Sequence, residues 1–219
     1  LAALSSSSFL FFVIVGLGYG GSTALSALIG NALGKKHAFH ASLIAKKGLG
    51  LVLLLGIVMG IIGYITAPLM LKLIGVEPLY HAFALEYTQI ILGGTALFFA
   101  NFGLNGILVA TGDTKSYRNT LIFGFFANIL LNPLFMYGWS FSPPMGIGGV
   151  AASTVLIQGI NALYLLRKTM AIGLIDFKQF KAFYPDWRIY KNLILQGAAP
   201  GLNMLMMSFG SLLALYFVT

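Results

Sequence analysis

Charged side chains are scarce in this sequence. Only 8% of its 219 residues are Asp, Glu, Lys or Arg, whereas 58% are hydrophobic. An ordinary soluble domain carries about 25% charged residues, so the deficit excludes that class of protein. Because lipid offers the backbone no hydrogen-bond partners, each apolar segment must satisfy its own backbone. The composition therefore predicts an all-α integral membrane protein.

Cysteine is absent from the sequence, which excludes disulfides and thiolate metal sites. No Ser/His/Asp, Cys/His or paired-carboxylate arrangement lies at a single membrane depth, so we expect no enzymatic activity. The formal net charge of +8 does not indicate a nucleic-acid partner. The basic residues lie in loops between apolar runs, which is the pattern of a membrane protein with cytoplasmic loops.

Long apolar runs organise the whole chain. The runs Thr88–Ala110 and Thr120–Tyr137 enclose a short charged turn, Thr111–Asn119. As a helix, each run is about long enough to cross a hydrocarbon layer of ~30 Å. The same plan extends in both directions and predicts six transmembrane helices. They cover about Leu1–Leu33, Ala45–Ile74, Leu79–Ala110, Ser116–Gly138, Ile147–Leu166, and Ile189 to the end.

The distribution of basic residues predicts the orientation. Loops 34–47, 111–119 and 167–191 hold 12 of the 13 basic residues, and Lys72 lies on the other side. This bias places the three loops in the cytoplasm and predicts a multi-pass protein of the plasma (inner) membrane. Because the sequence begins and ends inside apolar runs, we expect the chain to be part of a longer protein.

Small residues recur at the spacing that lets membrane helices approach closely. In the first helix this spacing joins Gly16 to Gly20 and Gly30 to Gly34, and in the second it joins Gly56 to Gly60. We expect close helix packing along these faces.

Polar side chains at membrane depth are the candidates for function. They are amides: Asn101, Asn105, Asn128, Asn132, Gln158, Asn161 and Asn203. Amide oxygens suit Na⁺, and the same groups also serve as interhelical hydrogen bonds. Both interpretations stay open for single amides. Asn128 and Asn132 share a helix face, and Pro133 beside them frees a backbone carbonyl, so this pair favours an ion site. Pro200 indicates either a packing kink or a hinge.

Several segments together resemble the multidrug and toxic compound extrusion (MATE) family. In chain order they are Ala32–Lys35 (ALGK), Ala110–Lys115 (ATGDTK), Asn128–Gly138 (NILLNPLFMYG), Gly146–Thr154 (GIGGVAAST) and Gly197–Gly201 (GAAPG). The resemblance covers nearly the whole chain. It implies a transporter of twelve helices in two six-helix lobes, with a central cleft that faces one side of the membrane at a time.

On this resemblance, residues 1–188 would form most of the first lobe, including a cytoplasmic linker at about 167–188. Residues 189–219 would form the first helix of the second lobe. The implied function is antiport: alternating access would export drugs or other organic compounds, often cationic, in exchange for Na⁺ or H⁺. The implied partners are small organic substrates, the lipid bilayer and the remainder of the second lobe. No cofactor is implied beyond the coupling ion.

The resemblance also implies a site for the coupling cation. Some family members bind it with an Asp on helix one, an Asn on helix four, an Asn-x-x-x-Asp pair before a proline on helix five, and a Thr on helix six. In this chain the corresponding residues are Asn101 (with Asn105 as the alternative), Asn128, Asn132 and Thr154, while the helix-one Asp would lie outside the chain. The resemblance implies a possible Na⁺ at Asn128 and Asn132, and hinges at Pro133 and Pro200. Asn132 stands where the family has Asp, and an amide cannot take up and release a proton.

Two other functions remain open from the sequence. A flippase for lipid-linked oligosaccharides or polysaccharides shares the lobe architecture, but should line its cleft with cationic residues. A non-transporting membrane scaffold would use the intramembrane amides only as interhelical hydrogen bonds.

Overall fold

The computed structural model describes residues 2–73, 78–138, 144–176 and 184–218. These residues form seven helices: α1 Ala2–Gly34, α2 Ala38–Leu73, α3 Pro78–Gly93, α4 Thr95–Ala110, α5 Lys115–Tyr137, α6 Gly146–Ala171 and α7 Trp187–Val218. No strand occurs in the described ranges, and the all-α prediction is confirmed.

Within the described residues, four helices are long and apolar enough to span a membrane, namely α1, α2, α5 and α6. The pair α3 and α4 would be a fifth span, bent by 43° at its break. These helices confirm the membrane class. The count of six spans stays a prediction.

The helix ends differ from the predicted ones. Helix α2 begins at Ala38 rather than Ala45, so Lys46 and Lys47 lie inside a helix and not in a loop. Helix α6 likewise continues to Ala171, and α7 already begins at Trp187. The predicted loops 34–47 and 167–191 are therefore too long, and residues 177–183 of the second lie outside the described residues. Hydropathy marks the apolar segment, whereas helical hydrogen bonding continues into the polar interface.

The predicted helix Leu79–Ala110 is broken at Gly93 and Gly94. The N–H of Gly94 is shared between the carbonyls of Ile90 and Ile91, each at 3.1 Å. A Cβ at Gly94 would lie 2.5 Å from the Val155 side chain on α6. The bend thus brings the backbone of this span directly against α6.

Helix α1 lies in the centre of the packing and contacts α2, α4 and α7. Its contact with α7 is made backbone to backbone. A Cβ at Gly20 would lie 2.5 Å from the Gly197 carbonyl oxygen, and a Cβ at Gly197 would lie 2.8 Å from that of Gly20. The predicted close approach at Gly16 and Gly20 is confirmed. At Gly30 and Gly34 a Cβ would meet nothing within 4 Å among the described residues, so close approach there stays a prediction.

An ion pair adds to the contact between α2 and α7. Lys47 Nζ donates to Asp186 Oδ2 at 3.0 Å, while Asp186 Oδ1 accepts the backbone N–H of Arg188 at 3.1 Å. The hydrogen bond from Lys47 holds the pKa of the Asp186 carboxyl below its usual value. Asp186 therefore caps the start of α7 and ties it to α2.

Asp113 caps the start of α5 in a similar way. Its Oδ1 accepts the backbone N–H of Ser116 at 2.9 Å, and its Oδ2 accepts the Ser116 hydroxyl at 2.6 Å. The Ser116 hydroxyl is the main cause of a lowered Asp113 pKa, followed by the Ser116 N–H. A carboxylate just before the first turn also interacts favourably with the helix dipole.

We expect Asp113→Ala to lower the free energy of unfolding by about 0.5–1 kcal/mol, because α5 loses its cap and the site is largely solvated. The native pKa is depressed, so the stabilisation is complete above the ordinary carboxyl value of 3.8 and is lost as pH falls through the native pKa. Thermal unfolding of both proteins at neutral and acidic pH measures this. A difference that grows in acid would contradict the assignment.

Candidate functional site

Asn101 is the most constrained of the intramembrane amides. It lies on α4 and is 4% exposed. Its Nδ2 donates to three acceptors: the Leu97 carbonyl at 3.0 Å, the Gln158 carbonyl at 2.9 Å and Gln158 Oε1 at 2.8 Å. Because all three neighbours are acceptors, the amide nitrogen must face them. The orientation of the Asn101 side chain is thereby fixed.

The other end of the same amide has no partner. Asn101 Oδ1 is buried and accepts no hydrogen bond from any described residue. Leaving a buried acceptor unsatisfied costs about 1–3 kcal/mol. An oriented, unpaired and buried carbonyl-type oxygen is the group that would bind a hard cation. This atom is the observation that most favours a binding site in this part of the molecule.

A second polar contact joins α5 to α6. Asn132 Oδ1 accepts the hydroxyl of Ser153 at 2.5 Å, and Ser153 is fully buried. Asn128 bonds within its own helix, where Nδ2 donates to the Gly124 carbonyl at 2.9 Å. Thr154 does the same on α6, with Oγ1 donating to the Val150 carbonyl at 2.9 Å. The α6 residue that contacts Asn132 is therefore Ser153, the neighbour of the predicted Thr154.

Helix α6 carries both contacts, because α4 and α5 each pack against it. Ser153 and Gln158 lie five residues apart, which corresponds to a rise of about 7.5 Å along the helix. Among the described residues no hydrogen bond joins Asn101 to Asn128, Asn132 or Thr154. The structure thus places the predicted residues in two contacts along α6 and does not gather them into one.

Sequence reasoning included Gln158 among the intramembrane amides but did not predict its pairing with Asn101. It also named Thr154 rather than Ser153. The rotation of α6 about its own axis decides whether Ser153 or Thr154 faces α5. That rotation depends on glycines at the helix contact. A Cβ at Gly149 would collide with the Phe135 carbonyl of α5, so this position fixes which face of α6 meets Asn132.

The two prolines lie where they were expected. Pro133 lies inside α5 and Pro200 inside α7. Each proline removes the N–H that would bond the carbonyl four residues earlier, which frees the carbonyls of Ile129 and Gln196. Pro200 lies between Gly197 and Gly201, on the segment that contacts α1. The hinge roles stay predictions.

Glu86 is the acidic residue of α3, and it lies against α6. Its Oε1 occupies the place that a Cβ of Gly148 would take, in the first turn of α6. A carboxylate at that position is stabilised by the positive end of the helix dipole. Glu86 thus lies at the start of a neighbouring helix, α6.

Comparison with known proteins agrees with this arrangement. The family model MatE matches residues 1–134. The probable multidrug resistance protein YoeA of Bacillus subtilis (strain 168) is 30% identical over 222 residues, a match that covers all of this chain and 48% of that protein.

Two solved structures of multidrug resistance MATE family transporters of the MOP superfamily, both 26% identical, superpose well. The outward-facing conformation gives a TM-score of 0.84 over 97% of this chain and 46% of that chain. The inward-facing conformation gives 0.82 over 95% of this chain and 47% of that chain. The chain thus spans about half the length of these relatives. It belongs to the MatE family, the multidrug and toxic compound extrusion transporters.

Proposed function

We propose that this chain is the amino-terminal part of a secondary active antiporter that exports organic compounds in exchange for a cation. The relative named as a multidrug resistance protein supports drugs or similar compounds as substrates. Relatives that superpose on this chain have been solved in both outward-facing and inward-facing conformations, which supports alternating access. Residues 1–188 would belong to the first lobe and residues 189–219 to the second.

The observation that carries the proposal is the unpaired Oδ1 of Asn101. It offers a neutral oxygen ligand in a membrane span, which suits Na⁺. Asn128 and Asn132 lie in the separate contact between α5 and α6 and would offer further amide oxygens to the same ion. An amide does not titrate, so none of these three residues can carry a proton. Among the described residues that form this site, the chemistry therefore favours Na⁺ as the coupling ion.

Proton coupling is the second candidate, and Glu86 is the observation that favours it. Its carboxylate can exchange a proton and packs against the first turn of α6, the helix that carries Ser153 and Gln158. A membrane transporter that uses H⁺ needs such a titratable group. The two candidates differ in which gradient drives export.

Efflux from everted membrane vesicles tests the proposal, with the complete reading frame that contains this chain. We expect an imposed Na⁺ gradient to drive export of a fluorescent organic cation. A variant with Asn128→Leu and Asn132→Leu should lose that export, while Asn203→Leu on the exposed face of α7 keeps it. If only a pH gradient drives export, and Glu86→Gln abolishes it, the coupling ion is H⁺ and not Na⁺. Full export by the double variant would contradict the site.

A further inference from the structure

A cavity of about 340 Å³ lies between α5 and α6, apart from the amide contacts described above. It is lined by Asn119, Thr120, Phe123, Ile160, Asn161 and Tyr164. The polar residues and the two aromatic rings make it amphipathic. Phe123 and Ile160 are 45% and 41% exposed, so the cavity is open at the side of these two helices.

Asn161 is the feature of this cavity that calls for a ligand. The residue is 7% exposed, and it makes no hydrogen bond with any described residue. Its amide nitrogen lies beside Gly124 of α5, 3.7 Å from where a Cβ would stand. The amide atoms of Asn161 are not among the fully enclosed unpaired atoms of the described residues, so a partner can reach this donor and acceptor through the cavity.

Positive charge surrounds the polar end of the cavity. Arg118 Nη2 donates to Asn119 Oδ1 at 3.2 Å, and Lys168 Nζ lies 5.8 Å from the ring centre of Tyr164. The nearest described carboxylate along the chain, Asp113, accepts two hydrogen bonds from Ser116, and the charge of Lys168 also contributes to its lowered pKa. Both basic residues lie at the ends of α5 and α6 that the distribution of Lys and Arg predicts to be cytoplasmic.

We propose that this cavity binds an anionic phospholipid of the cytoplasmic leaflet. Arg118 and Lys168 would hold the phosphate headgroup, since basic pockets between helices on this side recognise such groups. One turn deeper, the Asn161 amide would donate to an ester carbonyl of the glycerol backbone. The acyl chains would then run along Phe123 and Ile160 toward the membrane interior. The inference does not depend on the proposed transport function.

The test is lipid binding to purified protein, followed by native mass spectrometry and thermal unfolding in detergent. Added phosphatidylglycerol should bind and raise the unfolding temperature, whereas phosphatidylethanolamine and inorganic phosphate should not. Removing both charges with Arg118→Gln and Lys168→Gln should weaken phosphatidylglycerol binding by about tenfold or more. Asn161→Leu should weaken it as well without changing net charge.

A matched control removes two exposed basic residues elsewhere, with Lys35→Gln and Lys36→Gln, and should bind phosphatidylglycerol like the unmodified protein. The proposal fails if the control loses as much binding as the Arg118 and Lys168 variant, because the effect would then be one of general charge. It also fails if Asn161→Leu binds as well as the unmodified protein, or if phosphatidylethanolamine binds equally.

Discussion

Replacing Gly197 by leucine is expected to prevent α7 from docking on α1. A Cβ at Gly197 would lie 2.8 Å from the Gly20 carbonyl oxygen and 3.1 Å from its carbonyl carbon. These are backbone atoms of a helix, so no side-chain rotamer can relieve the clash. Overpacking at a tight contact typically lowers the free energy of unfolding by about 1–3 kcal/mol. A clash with backbone atoms should cost at least about that much, because the backbone cannot move aside as a side chain can. In a membrane, where close small-residue contact holds helices together, the loss should be severe.

Size-exclusion chromatography of fluorescently tagged protein before and after heating measures this effect. Gly197→Leu should shift the protein toward aggregated material and lower its unfolding temperature. Gly30→Leu on α1 is the matched control, because a Cβ there would meet none of the described residues within 4 Å. Equal losses for both substitutions would mean that the α1–α7 contact is not what stabilises the assembly.

Replacing Asn101 by leucine is expected to raise the Na⁺ concentration that gives half-maximal efflux by about tenfold or more. The unpaired Oδ1 disappears, and the loss of one ligand to a charged group is worth about 1.5–3 kcal/mol. The fold should tolerate the change, since leucine has a similar volume and the membrane interior is apolar. Asn101→Leu also leaves Gln158 Oε1 without its donor, which adds a modest loss of stability.

Gln158→Leu separates ion binding from structure. It removes one of the three acceptors that orient Asn101 and keeps Oδ1 itself, so the Gln158 side chain is a positioning group. We expect a smaller rise in the half-maximal Na⁺ concentration than for Asn101→Leu, with an unchanged maximal rate. Asn105→Leu is the matched control, because Asn105 lies one turn along α4 and makes only a long bond of 3.4 Å to Ser22. A loss of maximal rate in all three variants, with Na⁺ dependence unchanged, would mean that these amides serve only packing.

The sequence predicts the helices well because each apolar run must form one in lipid. The helix ends are less predictable. The sequence predicts Lys46 and Lys47 in a loop, yet α2 includes them, with Lys46 buried among the helices and Lys47 paired with Asp186. The break at Gly94 was missed for another reason. A glycine inside a helix is compatible with a straight span, and only the Val155 side chain on α6 shows why the backbone approaches there.

The candidate site is likewise predictable only in part. The amides are visible in the sequence because polar residues are rare at membrane depth, but their pairing is not. Ser153 and Thr154 differ by about 100° around the helix, so a small change in the rotation of α6 decides which one meets Asn132. Likewise, Gly16/Gly20 and Gly30/Gly34 have identical spacing, and only the position of α7 makes the first a contact.

Equilibrium binding of radioactive Na⁺ to the purified protein tests the central claim most directly. We expect saturable Na⁺ binding that K⁺ does not displace. Asn101→Leu should weaken this binding by about tenfold or more, and Asn105→Leu should leave it unchanged. Absence of saturable Na⁺ binding, or equal binding by the Asn101→Leu protein, would contradict the claim that the unpaired oxygen on α4 holds the coupling ion.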